Sequence, residues 1–346
     1  MRPSFLYNAL ANIARGDDID VEFEQLLITL HTPKIIRYLV ASPLIIYLQM
    51  ERVKIIDVEF FDSFDNLLKF ANKSFDYIYH IPEVIQNNFL KQDMVISKIK
   101  HNSMCCSFIN AIDQEVVLSE FNKNFKIALG FLKLSTYGYL NLNNHVLSNS
   151  NYVFFYDGGH GFRSSTEGEI NKAIIDQNHY NYLLNIGLDW LNDTLKHSDK
   201  IKAIKVKDAL YWYSLLSDEK DLTLKLVYSA TVLEILMKNK DHTTEVQTTI
   251  AERVAFLLGD NYSSRVNYYS KIKEFYQLRS KVIHQGHILS INNYILVEDI
   301  SLLVGIVLLK VIKKLADISY SFGEFIQDFE KIKFGDSIGM LVNNIE

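Results

Sequence analysis

The sequence predicts an α+β region over residues 1–165 followed by an all-helical region over residues 176–346, and three observations carry that division. Short β-branched and aromatic runs, VKIIDVEFF at 53–61 and YVFFY at 152–156, read as buried strands in the first part. From residue 178 onward apolar residues recur every three or four positions almost without interruption, which is the helical period. Between the two parts lies DGGHGFRSSTEG at 157–168, with four of the chain's 14 glycines, a density that marks a surface loop or linker. At roughly 150 residues per domain, the length is that of two domains.

In chain order, helical spacing is read first at 21–30 and at 33–49, where Pro43 should kink or split the second helix. Residues 53–61 follow as one strand. The segment 115–134 places Val117, Phe121, Phe125, Ala128 and Leu132 on one helical face. After the strand at 152–156, the sequence GGHG invites a phosphate-loop reading, but the lysine and Ser/Thr of a Walker motif are missing. Helices are then expected at about 178–197, 201–216, 219–239, 244–258, 267–284, 296–319 and 321–332. Breaks fall at Gly259-Asp260-Asn261 and at Gln285-Gly286, where glycine suits the position just past a helix end. Long helices sharing an apolar interior make a bundle.

Composition removes several classes of function. Cys105 and Cys106 are the two cysteines, and neighbours in sequence supply neither a disulfide framework nor a zinc site, which fits a reduced cytoplasmic home. The longest apolar stretch, 300–309, is about half a membrane-spanning length, and the N-terminus carries no signal-peptide run. With 36 basic against 41 acidic residues the net charge is −5, which argues against constitutive coating of nucleic acid while permitting a local basic site. Arginine is scarce, 8 against 28 lysines, so each arginine is more informative than usual, and three lie between Arg253 and Arg279.

That stretch leads to YYSKIKEFYQLRSKVIHQGH at 268–287, where Ile272, Phe275, Tyr276, Val282 and Ile283 form an apolar stripe. Arg279 is four residues from both Phe275 and Ile283, so it is expected to face inward, and a buried charge needs a partner. Glu234 is the candidate, because it interrupts an otherwise apolar helix in YSATVLEILMK. His284 follows Arg279 by five residues, an offset of about 140° and about 7.5 Å on a straight helix. The two converge only if the helix ends at the histidine or if a second copy brings another pair. Lys271, Lys273, Arg279 and Lys281 face only Glu274, four basic residues against one acidic, and Tyr268, Tyr269 and Tyr276 could stack on unpaired bases. A second group, Lys196, Lys200, Lys202, Lys205 and Lys207, reads better as a solvated helix face. His160, His179, His197, His242 and His287 carry less weight, and no His-Glu-x-x-His, Gly-x-Ser-x-Gly or Gly-x-Gly-x-x-Gly motif occurs.

YQLRSKVIHQG resembles the Arg-x4-His signature of HEPN domains, and more narrowly of their Apea-like branch. Three further stretches are similar to that branch in the same order: KDALYWYSLLSDEKD at 207–221, LVYSATVLEILM with Glu234 at the acidic position, and IAERVAFLLG with Arg253. The resemblance covers about residues 176–310. It departs at Gln285, where many relatives have glycine, so the helix stop moves to Gly286. The resemblance implies an all-α HEPN bundle that dimerises into a metal-independent endoribonuclease without cofactor, of the kind found in phage defence and toxin–antitoxin systems. Arg279 and His284 would be catalytic, Glu234 and Tyr276 supporting, and Lys271, Lys273 and Lys281 RNA-binding. The implied partners are RNA, a second copy of the chain, and a phage trigger or antitoxin protein, with no membrane. The N-terminal region would sense the trigger or restrain the nuclease. Two alternatives stand beside this reading: a noncatalytic HEPN scaffold that binds RNA or protein, and the toxin of a toxin–antitoxin pair.

Overall fold

A computed structural model describes residues 12, 14–15, 18–21, 35–43, 46–74, 103–111, 113–135, 151–156, 159–164, 173–193, 199–238, 246–286, 289–317 and 319–335. The chain has an α+β N-terminal part and a helical C-terminal part. The strands are β1 (Ile36–Pro43), β2 (Ile46–Leu48), β3 (Arg52–Ile55), β4 (Val58–Phe61), β5 (Met104–Ala111), β6 (Asn151–Tyr156), β7 (Gly159–Ser164) and β8 (Ala173–Ile175). Six of them form one antiparallel sheet in the order β3-β4-β5-β1-β6-β7, and β2 pairs with β8 in parallel.

Strands β1, β4 and β5 of this sheet carry buried residues on both faces. Helix α1 (Phe64–Ser74) covers one face, where Leu39, Ala41, Phe61, Met104 and Cys106 meet Phe64, Leu67 and Ala71. Helix α2 (Gln114–Ser135) covers the other, where Phe60 lies 6.4 Å from Phe125 between ring centroids, alongside Tyr38, Val40 and Cys105. Cys105 and Cys106 therefore point into opposite layers and are both free and buried. Burial pushes both thiols well above the usual cysteine range, the state of inert core residues.

Four expectations for this half are corrected or narrowed. Residues 33–49 are strands β1 and β2 where described, not a helix. A strand covered on both faces shows no polar alternation, so its apolar run is not separable from a helix by periodicity. The expected single strand at 53–61 is a hairpin, β3 and β4, turning at Ile56 and Asp57. Ile56 is buried with φ 58°, a strained left-handed conformation for a β-branched residue. Asn192 holds it there, its Oδ1 accepting the Ile56 N–H at 2.5 Å while its amide donates to the Lys54 carbonyl at 3.0 Å. The glycine-rich segment 157–168 is not all loop, since 159–164 is strand β7 paired with β6. Of the helix expected at 21–30, only residue 21 is described, and it is helical.

The helices that follow are α3 (Gln177–Asn185), α4 (Leu188–Asn192), α5 (Lys200–Asp218), α6 (Leu222–Met237), α7 (Val246–Leu258), α8 (Tyr262–Gln285), α9 (Ile291–Lys314) and α10 (Phe322–Lys333). The helix expected at 178–197 breaks at Gly187, whose φ of 111° suits glycine and whose added Cβ would strike Trp190 and Ile312. Helix α9 begins five residues before the expected 296, after a capping box of Ser290 and Asn293. Helix α5 packs against α2 on one side and α6 on the other. At the first contact Gly130 lies so close to the Leu210 carbonyl that a Cβ would stand 2.2 Å from its oxygen. One apolar core thus runs from the sheet through α2 and α5 into the bundle.

Candidate active site

Helix α6 starts at Asp221, whose carboxylate accepts the Leu224 N–H at 2.9 Å, and its apolar residues spread around the whole circumference, as suits a central helix. Helix α8 starts with a reciprocal capping box of Asn261 and Ser264 and stops at Gly286, φ 65°, whose N–H donates to the Lys281 carbonyl. The two helices step past each other in the same direction. The Tyr276 hydroxyl donates to the Ala230 carbonyl at 3.4 Å, and one turn later the Arg279 guanidinium meets the Glu234 carboxylate at 3.4 Å.

The structure brings Arg279 and Glu234 together and places them near the surface, with 31% and 28% of their side chains exposed. The inward stripe read in the sequence stops short of its expected end. Ile283 is 47% exposed and His284 is exposed. Helix α6 ends at Met237, less than one turn past Glu234, and Ile283, one turn past Arg279, is exposed. The Arg279 Nε is buried without a hydrogen-bond partner among the described residues.

Helix α8 is continuous through His284 to Gln285. Arg279 and His284 of one chain are therefore about 140° apart around the axis and do not converge on one atom. Tyr276 lies beneath the ion pair with its ring edge-on to Phe275. It is buried, so it is not open to base stacking, and burial together with Glu234 raises its hydroxyl well above the usual tyrosine range. Tyr268 and Tyr269 pack partly buried against the core.

The three lysines assigned to RNA do not gather. Lys271 pairs with Asp299 of α9 at 2.8 Å, and Lys273 donates to the Thr248 hydroxyl of α7 at 2.9 Å. Lys281 is exposed, about 15 Å along the helix from Lys271. Of the second lysine group Lys200 is exposed, as a solvated face would have it, whereas the other described members are not. Lys202 is fully buried and donates to the Asp317 and Tyr320 carbonyls at 2.6 and 2.8 Å, and burial lowers its ammonium pKa. Lys205 donates to the Ile235 carbonyl at 3.1 Å, and Lys207 pairs with Asp57 in the β3–β4 turn at 2.6 Å. Lys196 lies outside the described residues.

Arg253, singled out in the sequence only by resemblance, is buried, donates to the Met237 carbonyl and pairs with Glu330 at 3.2 Å. The sequence signal for that role is faint: α6 ends in Met-Lys-Asn, with no glycine to close its last turn. His179 is half-buried in α3, and burial lowers its imidazole pKa. His197, His242, His287 and the His160 side chain lie outside the described residues. Among the described residues no group of three or more His, Cys, Asp or Glu side chains could hold a metal, and no helix is long and apolar enough to cross a membrane.

Fold and site together define an α+β layer joined through one core to a helical bundle that carries an arginine–glutamate pair near its surface. No protein-family model, curated protein or solved structure matches the chain.

Proposed function

We propose that this chain is a metal-independent endoribonuclease of the HEPN type, acting as a homodimer in anti-phage defence. The observation that supports it best is the pairing of Glu234 with Arg279 across two helices, with His284 exposed in the last turn of the arginine's own helix. The single ion pair leaves guanidinium donors for a phosphate, whose oxygens match the planar fork.

In the proposed reaction the RNA 2′-oxygen attacks the adjacent phosphorus, a P–O2′ bond forms and the P–O5′ bond breaks. One His284 takes the 2′-hydroxyl proton and the His284 of a second copy gives a proton to the departing 5′-oxygen. Arg279 stabilises the charge that grows on the non-bridging oxygens. Products are a 2′,3′-cyclic phosphate and a 5′-hydroxyl. A second copy is integral to the proposal, because the helix separates the two side chains within one protomer.

The same separation supports the second reading, a noncatalytic scaffold that dimerises and binds RNA or protein. Total RNA incubated with purified protein in EDTA, with and without phage lysate, distinguishes the two. The nuclease reading expects cuts with cyclic-phosphate ends that disappear in His284→Ala, and it fails if wild type and variant leave the same RNA ends or if cleavage needs a metal.

A further inference from the structure

Resting on the nuclease reading, the inference concerns what holds the Glu234–Arg279 pair in place. The first residue past α6, Lys238, is not left-handed. It leaves the helix extended, φ −96° and ψ 133°, and its N–H donates to the Glu234 carbonyl at 3.0 Å. An exit of that kind leaves the last carbonyls of the helix without the backbone partners that a left-handed closing turn provides. Two cations from two other helices take them instead. Lys205 of α5 donates its Nζ to the Ile235 carbonyl at 3.1 Å, and Arg253 of α7 donates to the Met237 carbonyl.

Both contacts fall in the turn that carries Glu234, at the negative end of the helix dipole where positive charge is stabilising. Both cations are also backed by α10. Lys205 Nζ lies 5.0 Å from the centroid of the Phe322 ring, and Arg253 pairs with Glu330 at 3.2 Å. The Tyr276–Ala230 contact ties α8 to α6 one turn earlier, so the last turn of α6 is the part whose position those cations decide. We propose that Lys205 and Arg253 are positioning residues for Arg279. By holding the final carbonyls of α6 they fix the Glu234 carboxylate and, through it, the direction of the guanidinium.

The test uses the full chain labelled with ¹⁵N only in arginine, where 8 arginines give a sparse side-chain spectrum and Arg279→Lys assigns the Arg279 Nε–H signal. Lys205→Met is expected to move that signal toward the position of free arginine. With a mixed-sequence single-stranded RNA as substrate, its kcat should fall roughly 10- to 100-fold, the scale of a small misplacement of a catalytic group. KM should stay within about twofold, since the loss is of transition-state alignment, and Lys205→Arg should restore both readouts. An Arg279 signal in Lys205→Met that superimposes on wild type overturns the proposal, as does a kcat that falls only in step with the folded fraction. Should Lys205→Met not fold, Arg253→Lys provides the same readouts from the second cation. A wild type that cuts no RNA removes the nuclease reading, and the Arg279 signal then decides the positioning role by itself.

Discussion

Helix α6 meets two arginines at its C-terminal end, and the two junctions use the same chemistry differently. At the junction with α7 and α10, Arg253 is buried, bonded to a backbone carbonyl and paired with Glu330. At the junction with α8, Arg279 keeps 31% of its side chain exposed, and its one ion pair among the described residues is with Glu234. A guanidinium committed on two sides contributes to the fold, whereas one with spare donors near solvent can take an anion. The difference comes from reach along α6. Arg253 grips the carbonyl of the last helical residue, while Arg279 meets a side chain one turn earlier, beside the opening left where the helix stops.

The sharpest separation of the two arginines is functional. Arg279→Ala and His284→Ala are each expected to lower the rate of RNA cleavage by roughly 10²- to 10⁴-fold, the range for losing an acid–base or charge-stabilising group. Their melting temperatures should stay close to wild type, and full activity in either variant would erase the contrast. Arg253→Met should instead show in stability, losing about 2–4 kcal/mol of unfolding free energy in urea titrations because a buried carbonyl is left without a partner, with the smaller, roughly 10- to 100-fold loss of kcat expected of a positioning residue. If its stability equals wild type, the buried arginine is not the structural member of the pair.

A smaller effect is expected at the carboxylate. Glu234→Gln should change unfolding free energy by no more than about 1 kcal/mol, since both partners are partly solvated and screened. A larger loss would mean that this junction, too, is chiefly structural.

The smallest effect concerns Lys202, a second buried cation on backbone carbonyls, whose native pKa lies below the ordinary 10.5. Between the lowered value and 10.5 the unfolded chain binds more protons than the native one, so this group makes stability rise with pH across that window. Lys133, also lowered by burial, acts in the same direction. Lys202→Met should therefore make the slope of unfolding free energy against pH less positive just below pH 10.5, a slope to which the raised Cys105 and Cys106 thiols contribute with the opposite sign. An unchanged slope would show that Lys202 titrates alike in both states.

Much of the helical half was legible because its signals are local. Apolar spacing located α5, α6, α7, α8 and α10 to within a few residues, apart from the first turns of α8, and Gly286 stopped α8 where expected. Glu234 was findable as a lone acid in an apolar helix, and Arg279 as its partner on the next long one. Strand β1 was not findable, because burial on both faces erased the alternation that marks a half-exposed strand. The β3–β4 turn was hidden for another reason. Its left-handed position is filled by Ile56 rather than glycine, and the residue that holds it, Asn192, is 136 positions away.

Sequence alone determined that Arg279 and His284 share one helix and stand about 140° apart, since a fixed number of residues per turn sets that angle. Only the tertiary structure decided which parts of the helix are covered. Phe275 and Tyr276 are buried, the latter against α6, and Ile283 about two turns further on is exposed, because cover depends on neighbouring elements. It also decided the fate of the cations. Lysines that look alike in sequence became a buried tie, a helix clamp and a solvent-facing side chain at Lys202, Lys205 and Lys281, according to whether a distant carbonyl lay within reach. Periodicity describes a helix about its own axis, and charge placement depends on its neighbours.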